Sequence, residues 1–290
     1  MNIKDVCENL ILVNSKMKKI AFLFLTKDTL NRVQLWNKYF KGHEEQYSIY
    51  IHPYSYYNTR NKPHIKDRLI RDNIIDTIVK TDYYHVVGAI LELFKVAIQD
   101  KDNYKFILVT ESDIPIISFN KMYKKMTADN KSFFKILEVD PRNDWVNRIK
   151  PALEAHKVTG QYIINPNKFI KHNPWYCLNR KHLKQVLKSP KEYLELFKTM
   201  DIGNEHILTL LNIANKDLEK QIHSEKTTYV DWSECQAKAD EIWKKYKNNK
   251  PELKKRLSDV WSHPKTFTKL DKGFISRCRS TGWVTLRKVV

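Results

Sequence analysis

The sequence predicts an α/β domain built on a mixed central sheet flanked by helices, and three observations carry that prediction. Short apolar runs of strand length alternate with stretches whose apolar residues recur at helical spacing, in the order strand, helix, strand, strand, helix, strand. One run, Phe106 to Pro115, ends in two carboxylates one residue apart and is stopped by a proline, as in a buried strand that delivers acids to its carboxyl end. The chain has 290 residues, 42% of them hydrophobic, and no internal repeat or Gly/Ser-rich linker, so a single domain over residues 1–290 is expected.

Lys19 to Thr26 reads as the first buried strand. Leu30 to Phe40 follows as a helix with Leu30, Val33, Leu35, Trp36 and Phe40 on one face, and Gly42 offers a left-handed cap. Tyr47 to His52 is a strand broken by Pro53, and Asn73 to Val79 is a shorter strand candidate. Val87, Ile90, Leu91, Phe94 and Ile98 define a helix over Val86 to Ile98, and Tyr104 to Thr110 is the next strand. Beyond Pro115 come a helix at Phe119 to Met126, a strand at Phe133 to Val139 and a loop through Pro151 to Asn173. Helices at Arg180 to Lys188, Lys191 to Met200 and Glu205 to Ala214 precede a strand at Thr227 to Val230. Glu234 to Trp261 is charged and helical, with Ala237, Ile242, Trp243 and Tyr246 on one apolar face.

Lysine and arginine number 52 against 33 acids, a formal charge of +19 that suits nucleic acid, an anionic membrane surface or small phosphorylated ligands. The lysine-rich stretches Lys121 to Lys131 and Lys244 to Lys255 read as solvated helix faces. There is no zinc-finger, RNP or helix-turn-helix signature, so no nucleic-acid partner is expected, and a basic nucleic-acid-binding protein stands as the reading from another class. Cys7, Cys177, Cys235 and Cys278 form no Cys-x-x-Cys pair, which argues against a zinc site and a disulfide framework and suits a reducing compartment. No apolar run approaches the roughly 20 residues of a membrane span, and the first residues lack a signal-peptide order, so a soluble or cytoplasmic protein is expected.

Glu111 and Asp113 have two readings. An acid-x-acid pair at a strand end can hold Mg²⁺ or Mn²⁺ against a diphosphate, because hard cations take oxygen ligands. Alternatively the two acids bind loop amides or neighbouring bases.

Seven segments in order resemble the core-2/I-branching β-1,6-N-acetylglucosaminyltransferase family with its plant and microbial relatives. They are Lys19 to Thr26, Leu35 to Pro53, Phe106 to Pro115, Trp175 to Arg180, Asn204 to Leu211, Tyr229 to Ser233 and Ser262 to Phe267. The resemblance implies a GT-A type, Rossmann-like nucleotide-sugar transferase domain. It also implies inverting, metal-independent transfer of a sugar, N-acetylglucosamine first and xylose or glucuronic acid as alternatives, from a UDP-sugar to a glycan or glycosylated acceptor. Residues 19–115 would bind the donor nucleotide and residues 116–290 the acceptor. The absence here of the anchor and paired cysteines of secretory-pathway relatives points to a microbial or viral source.

On the same resemblance Glu205 is the general base, and Asn204, where relatives often carry Asp, is its expected helix N-cap. Lys288, with Arg277 or Arg279, takes the place of the cations that hold the departing diphosphate; Trp283, Val284 and Leu286 predict that this tail is docked. Thr26, Lys27 and His52 are donor-nucleotide candidates at strand ends, followed by Tyr84 and Gly88. Pro53 stands where animal relatives carry Asp. Glu111, Asp113, Arg148, Lys150, Trp175 and Trp232 are the acceptor or sugar-binding candidates. Residues 234–261 are an insertion relative to the family, expected to cover the cleft or recruit an acceptor. A non-catalytic sugar-binding relative is the remaining alternative.

Overall fold

The computed structural model describes residues 17–27, 29–54, 67–249, 251–253, 256, 265, 273–276 and 283–287. In chain order its strands are β1 (Lys19–Thr26), β2 (Tyr47–Pro53), β3 (Asn103–Thr110), β4 (Ile114–Pro115), β5 (Ser132–Phe133), β6 (Ile136–Leu137), β7 (Lys171–His172), β8 (Cys177–Asn179), β9 (Ile222–His223), β10 (Thr228–Tyr229) and β11 (Thr285–Leu286). The main sheet runs β2-β1-β3-β8-β5-β9. β1 is parallel to both β2 and β3, and β8 is antiparallel to β3, so the sheet is mixed as predicted.

Successive side chains of a strand alternate between faces, and both faces of this sheet are covered, which is why β1 and β3 read as continuous apolar runs. Ala21, Leu23, Phe106 and Leu108 pack on one side with the helices Val87–Ala97 and Arg180–Leu187. Ile20, Phe22, Phe24, Ile107 and Val109 pack on the other with the helices Val33–Phe40 and Phe119–Thr127. There Trp36 meets the Phe24 ring edge-on at 5.0 Å and Phe40 meets Phe22 at 4.9 Å. Leu35, expected on this face, is exposed; the helix starts only at Val33, and its buried residues are Trp36 and Phe40. Gly42 does adopt the left-handed backbone, with φ 81°.

The register levels the carboxyl ends of the three parallel strands. Leu25 lies opposite His52 on one side and Thr110 on the other, and Thr26 opposite Pro53. The expected strand at Asn73 to Val79 is only a bridge between Ile51 and Ile74. Ile51 exchanges hydrogen bonds with Asn73 and Ile75, and then the His52 side chain takes over, its Nε2 accepting from the Val79 amide at 3.0 Å. The expected strand at Phe133 to Val139 divides into β5 and β6, which join different sheets.

Residues 151–155, expected to be loop, belong to an α-helix. Residues Pro141–Ile149 form a π-helix that runs into the α-helix Lys150–Ala155. Asp140 caps the start by accepting from the amides of Arg142 and Asn143, with Pro141 at the first helical position. The expected helix from Glu205 is also revised. Gly203–Glu205 is a 3-10 turn, the α-helix begins at Thr209, and Asn204 caps neither. Ile202, entering the turn, has left-handed φ and ψ of 55° and 35°. Gly203 follows because a Cβ there would stand 2.1 Å from the Phe197 carbonyl oxygen.

A small sheet, β10-β11-β4, closes the fold beside the main one. β11 pairs parallel with β10 and antiparallel with β4, burying Val284 and Leu286, so residues 283–287 are docked as expected. The helix Ser233–Tyr246 occupies the start of the predicted insertion. Its buried residues are Cys235 and Ala239, with Ile242 and Tyr246 half-buried, whereas Ala237 and Trp243 are exposed. The apolar stripe is therefore rotated from the one expected. Among the described residues no helix is long and apolar enough to cross a membrane.

Candidate active site

A cavity of about 490 Å³ opens at the carboxyl ends of β1, β2 and β3, where ligands collect in open α/β sheets. Thr26, Lys27, His52 and Glu111 line it from the strand ends, and Trp175, Glu205 and Trp232 line it from later segments. Seven residues predicted for a site thus share one cavity, joined by Tyr54, Asp82, Tyr83, Thr110 and Arg287.

On the strand side, Thr26 is buried and its hydroxyl has no hydrogen-bond partner among the described residues. His52 is buried too, and burial lowers its pKa. Because its Nε2 accepts from Val79, the neutral ring carries its proton on Nδ1. Tyr84 lies beside the cavity, while Tyr83, 56% exposed, lines it. Gly88 sits in the first turn of the helix Val87–Ala97 and faces Val79, not the cavity.

Glu111 and Asp113 are separated by burial. Glu111 lines the cavity, whereas Asp113 is wholly inaccessible, its Oδ2 accepting from the Thr110 amide at 2.7 Å and its carbonyl from Trp36 Nε1 at 3.1 Å. Burial raises the Asp113 carboxyl to about 7, against the opposing charge of Arg287. Leu286 pairs with Ile114, so the antiparallel register sets Arg287 opposite Asp113.

Arg287 is the cation that the described residues bring into this cavity from the closing strand. Its amide donates to the Tyr229 carbonyl at 3.0 Å, and its guanidinium lies 4.5 Å from the centre of the Trp175 ring. Trp175, 6% exposed, therefore serves here as a shelf for Arg287. Lys288, Arg277 and Arg279 lie outside the described residues. The sequence points to the neighbouring lysine and not to Arg287; the apolar Val284 and Leu286, both buried, are the signal that the stretch leading into Arg287 is docked.

Glu205 sits in an ionic cluster. Its Oε2 is 3.3 Å from Arg148 Nη1 and 3.8 Å from Lys171 Nζ. Arg148 also reaches Asp144 Oδ1 at 3.2 Å, and Lys171 reaches Asp144 Oδ2 at 3.0 Å. Asp144 is fully buried and accepts from the Asp140 amide at 2.9 Å; His206 Nε2 stands 3.7 Å from its Oδ1. Burial works against its charge, yet His206, the Asp140 amide and Lys171 together hold its carboxyl well below the usual carboxylate range. Arg148 thus touches Glu205 from outside the cavity lining, while Lys150 is exposed at the start of its helix. Asp144 and Lys171 were not singled out from the sequence, although Asp144 and Arg148 are four residues apart, a helical spacing, behind the Asp140-Pro141 start signal.

A mixed sheet flanked by helices, with a crevice at the ends of its parallel strands, is the arrangement of a GT-A type domain. The chain belongs to the Core-2/I-branching enzyme family, whose sequence profile matches residues 20–258. It is similar to Glycosyltransferase BC10 of Oryza sativa subsp. japonica, 24% identical over 184 residues that cover 62% of this chain and 43% of the rice protein. The match therefore spans less than half the length of that relative.

Proposed function

We propose that the protein is an inverting glycosyltransferase that moves a sugar, N-acetylglucosamine in the first instance, from a UDP-sugar to an acceptor hydroxyl without a divalent ion. The observation that carries this reading is the convergence of Glu205 and Arg287 on the cavity at the strand ends. Its volume falls within the range of small-ligand sites. Family membership and similarity to a glycosyltransferase support the reaction class.

In this mechanism the Glu205 carboxylate takes the proton of the acceptor hydroxyl as its oxygen attacks the anomeric carbon. The bond from that carbon to the diphosphate oxygen breaks on the opposite face, and UDP leaves with the bonding pair. Arg287, and Lys288 on the family resemblance, offset the charge that grows on the diphosphate. Thr26 and His52 hold the nucleoside at the strand ends, and Trp232 and Tyr83 flank the acceptor.

Glu205→Gln keeps the shape of the side chain and removes the base. It is expected to retain UDP binding by calorimetry and to lose turnover by about 10²- to 10⁴-fold. Turnover within a few-fold of the parent would remove Glu205 from this role. Assays with a panel of UDP-sugars, each with Mn²⁺ and with EDTA, identify the donor and test metal independence together.

A further inference from the structure

Asp144 is a buried anion outside the cavity lining, yet Arg148 and Lys171, the cations that touch Glu205 among the described residues, also touch it. Arg148 and Lys171 come from different elements, the π-helix and β7, and Asp144 is where they meet. Without that anion the two cations would face Glu205 alone, forming close ion pairs that occupy the carboxylate and weaken it as a proton acceptor. With it, each cation is shared, and Arg148 and Lys171 approach Glu205 no closer than 3.3 and 3.8 Å.

We propose that Asp144 is a positioning residue that fixes Arg148 and Lys171 beside Glu205 and sets the strength of that carboxylate as a base. The inference rests on the reading of Glu205 as the base. The other groups facing the cluster are His206, 3.7 Å from Asp144, the Asp140 amide, and Tyr83, whose phenol interacts with both Glu205 and Arg148. His206 Nδ1 is tied to the Ile170 carbonyl at 3.1 Å, which keeps its Nε2 turned toward Asp144.

Two substitutions with opposite electrostatic sign test this. Asp144→Asn removes the shared anion, so the acid limb of the kcat/KM profile is expected to move to lower pH by about one unit, with a lower plateau. Lys171→Met removes a cation from a partly exposed side chain, and the limb is expected to move to higher pH. A ¹³C titration of the Glu205 carboxylate in the same variants reads these shifts without turnover. Shifts of opposite sign support the proposal, because a packing defect lowers activity in both variants without moving the limb in opposite directions. Unmoved limbs and unmoved ¹³C titrations in both variants would overturn it. If Glu205→Gln retains turnover while the ¹³C shifts appear, the base assignment fails and the positioning of the carboxylate stands.

Discussion

A carboxyl group buried as fully as that of Asp113 favours its protonated form, and burial raises it to about 7 even with Arg287 opposite. The folded protein then holds this proton more tightly than the unfolded chain. The stability it contributes is complete below about pH 4 and is lost as pH rises through about 7. Asp113→Asn retains an oxygen for the Thr110 amide, and is expected to flatten that loss and raise stability at pH 8 by on the order of 1–3 kcal/mol. Urea unfolding of both proteins at pH 5 and pH 8 measures it; equal slopes with pH would refute it. Asp144 carries the opposite sign. Its carboxyl is held below the usual range, so its contribution is present above about pH 4 and is lost as the solution is acidified. Two buried aspartates thirty-one positions apart thus push stability in opposite directions, a distinction of burial and partners that no sequence pattern records.

Elements differ in how far their boundaries follow from local sequence. β1, β2 and β3 and the helix Val87–Ala97 lie close to where their apolar spacing put them, because both sides of each are buried or one face clearly is. The segment around Glu205 does not, because its conformation is set by neighbours. The Ile202 amide donates to the Tyr84 carbonyl at 2.9 Å, and Gly203 sits against Phe197, so the chain must turn before helix Thr209–Ala214 can start. A β-branched residue with left-handed dihedrals at a cavity wall is strain held by its surroundings. Gly203→Ala is therefore expected to cost about 2 kcal/mol or more, since the contact is with backbone that cannot swing aside. Thermal unfolding checks this, and a melting temperature within a degree of the parent would contradict it.

At the scale of the whole molecule, the +19 charge and the cavity make different predictions. A basic surface binds polyanions through counterion release, so affinity for single-stranded RNA is expected to fall by about a hundredfold or more between 50 and 200 mM salt, while UDP binding changes far less. Fluorescence anisotropy and calorimetry at both salt concentrations separate the two, and steeply salt-sensitive RNA binding with no binding of UDP would favour the nucleic-acid reading. Cavity-lining residues on the strand ends were legible because topology delivers them: a strand that ends in polar groups puts them in the crevice. Arg287, Asp144 and Lys171 were not, because each matters through a partner more than twenty-five positions away. The π-helix that carries Asp144 and Arg148 has one more implication. Its amides reach back five residues, as Trp145 does to Asp140 and Lys150 to Trp145. With one residue fewer the stretch could close as an ordinary α-helix behind the same Asp140 cap, and Arg148 would swing out of line with Glu205. The length of this segment thus holds Arg148 in line with Glu205, and a one-residue gap that a surface loop would tolerate would here break that ion pair.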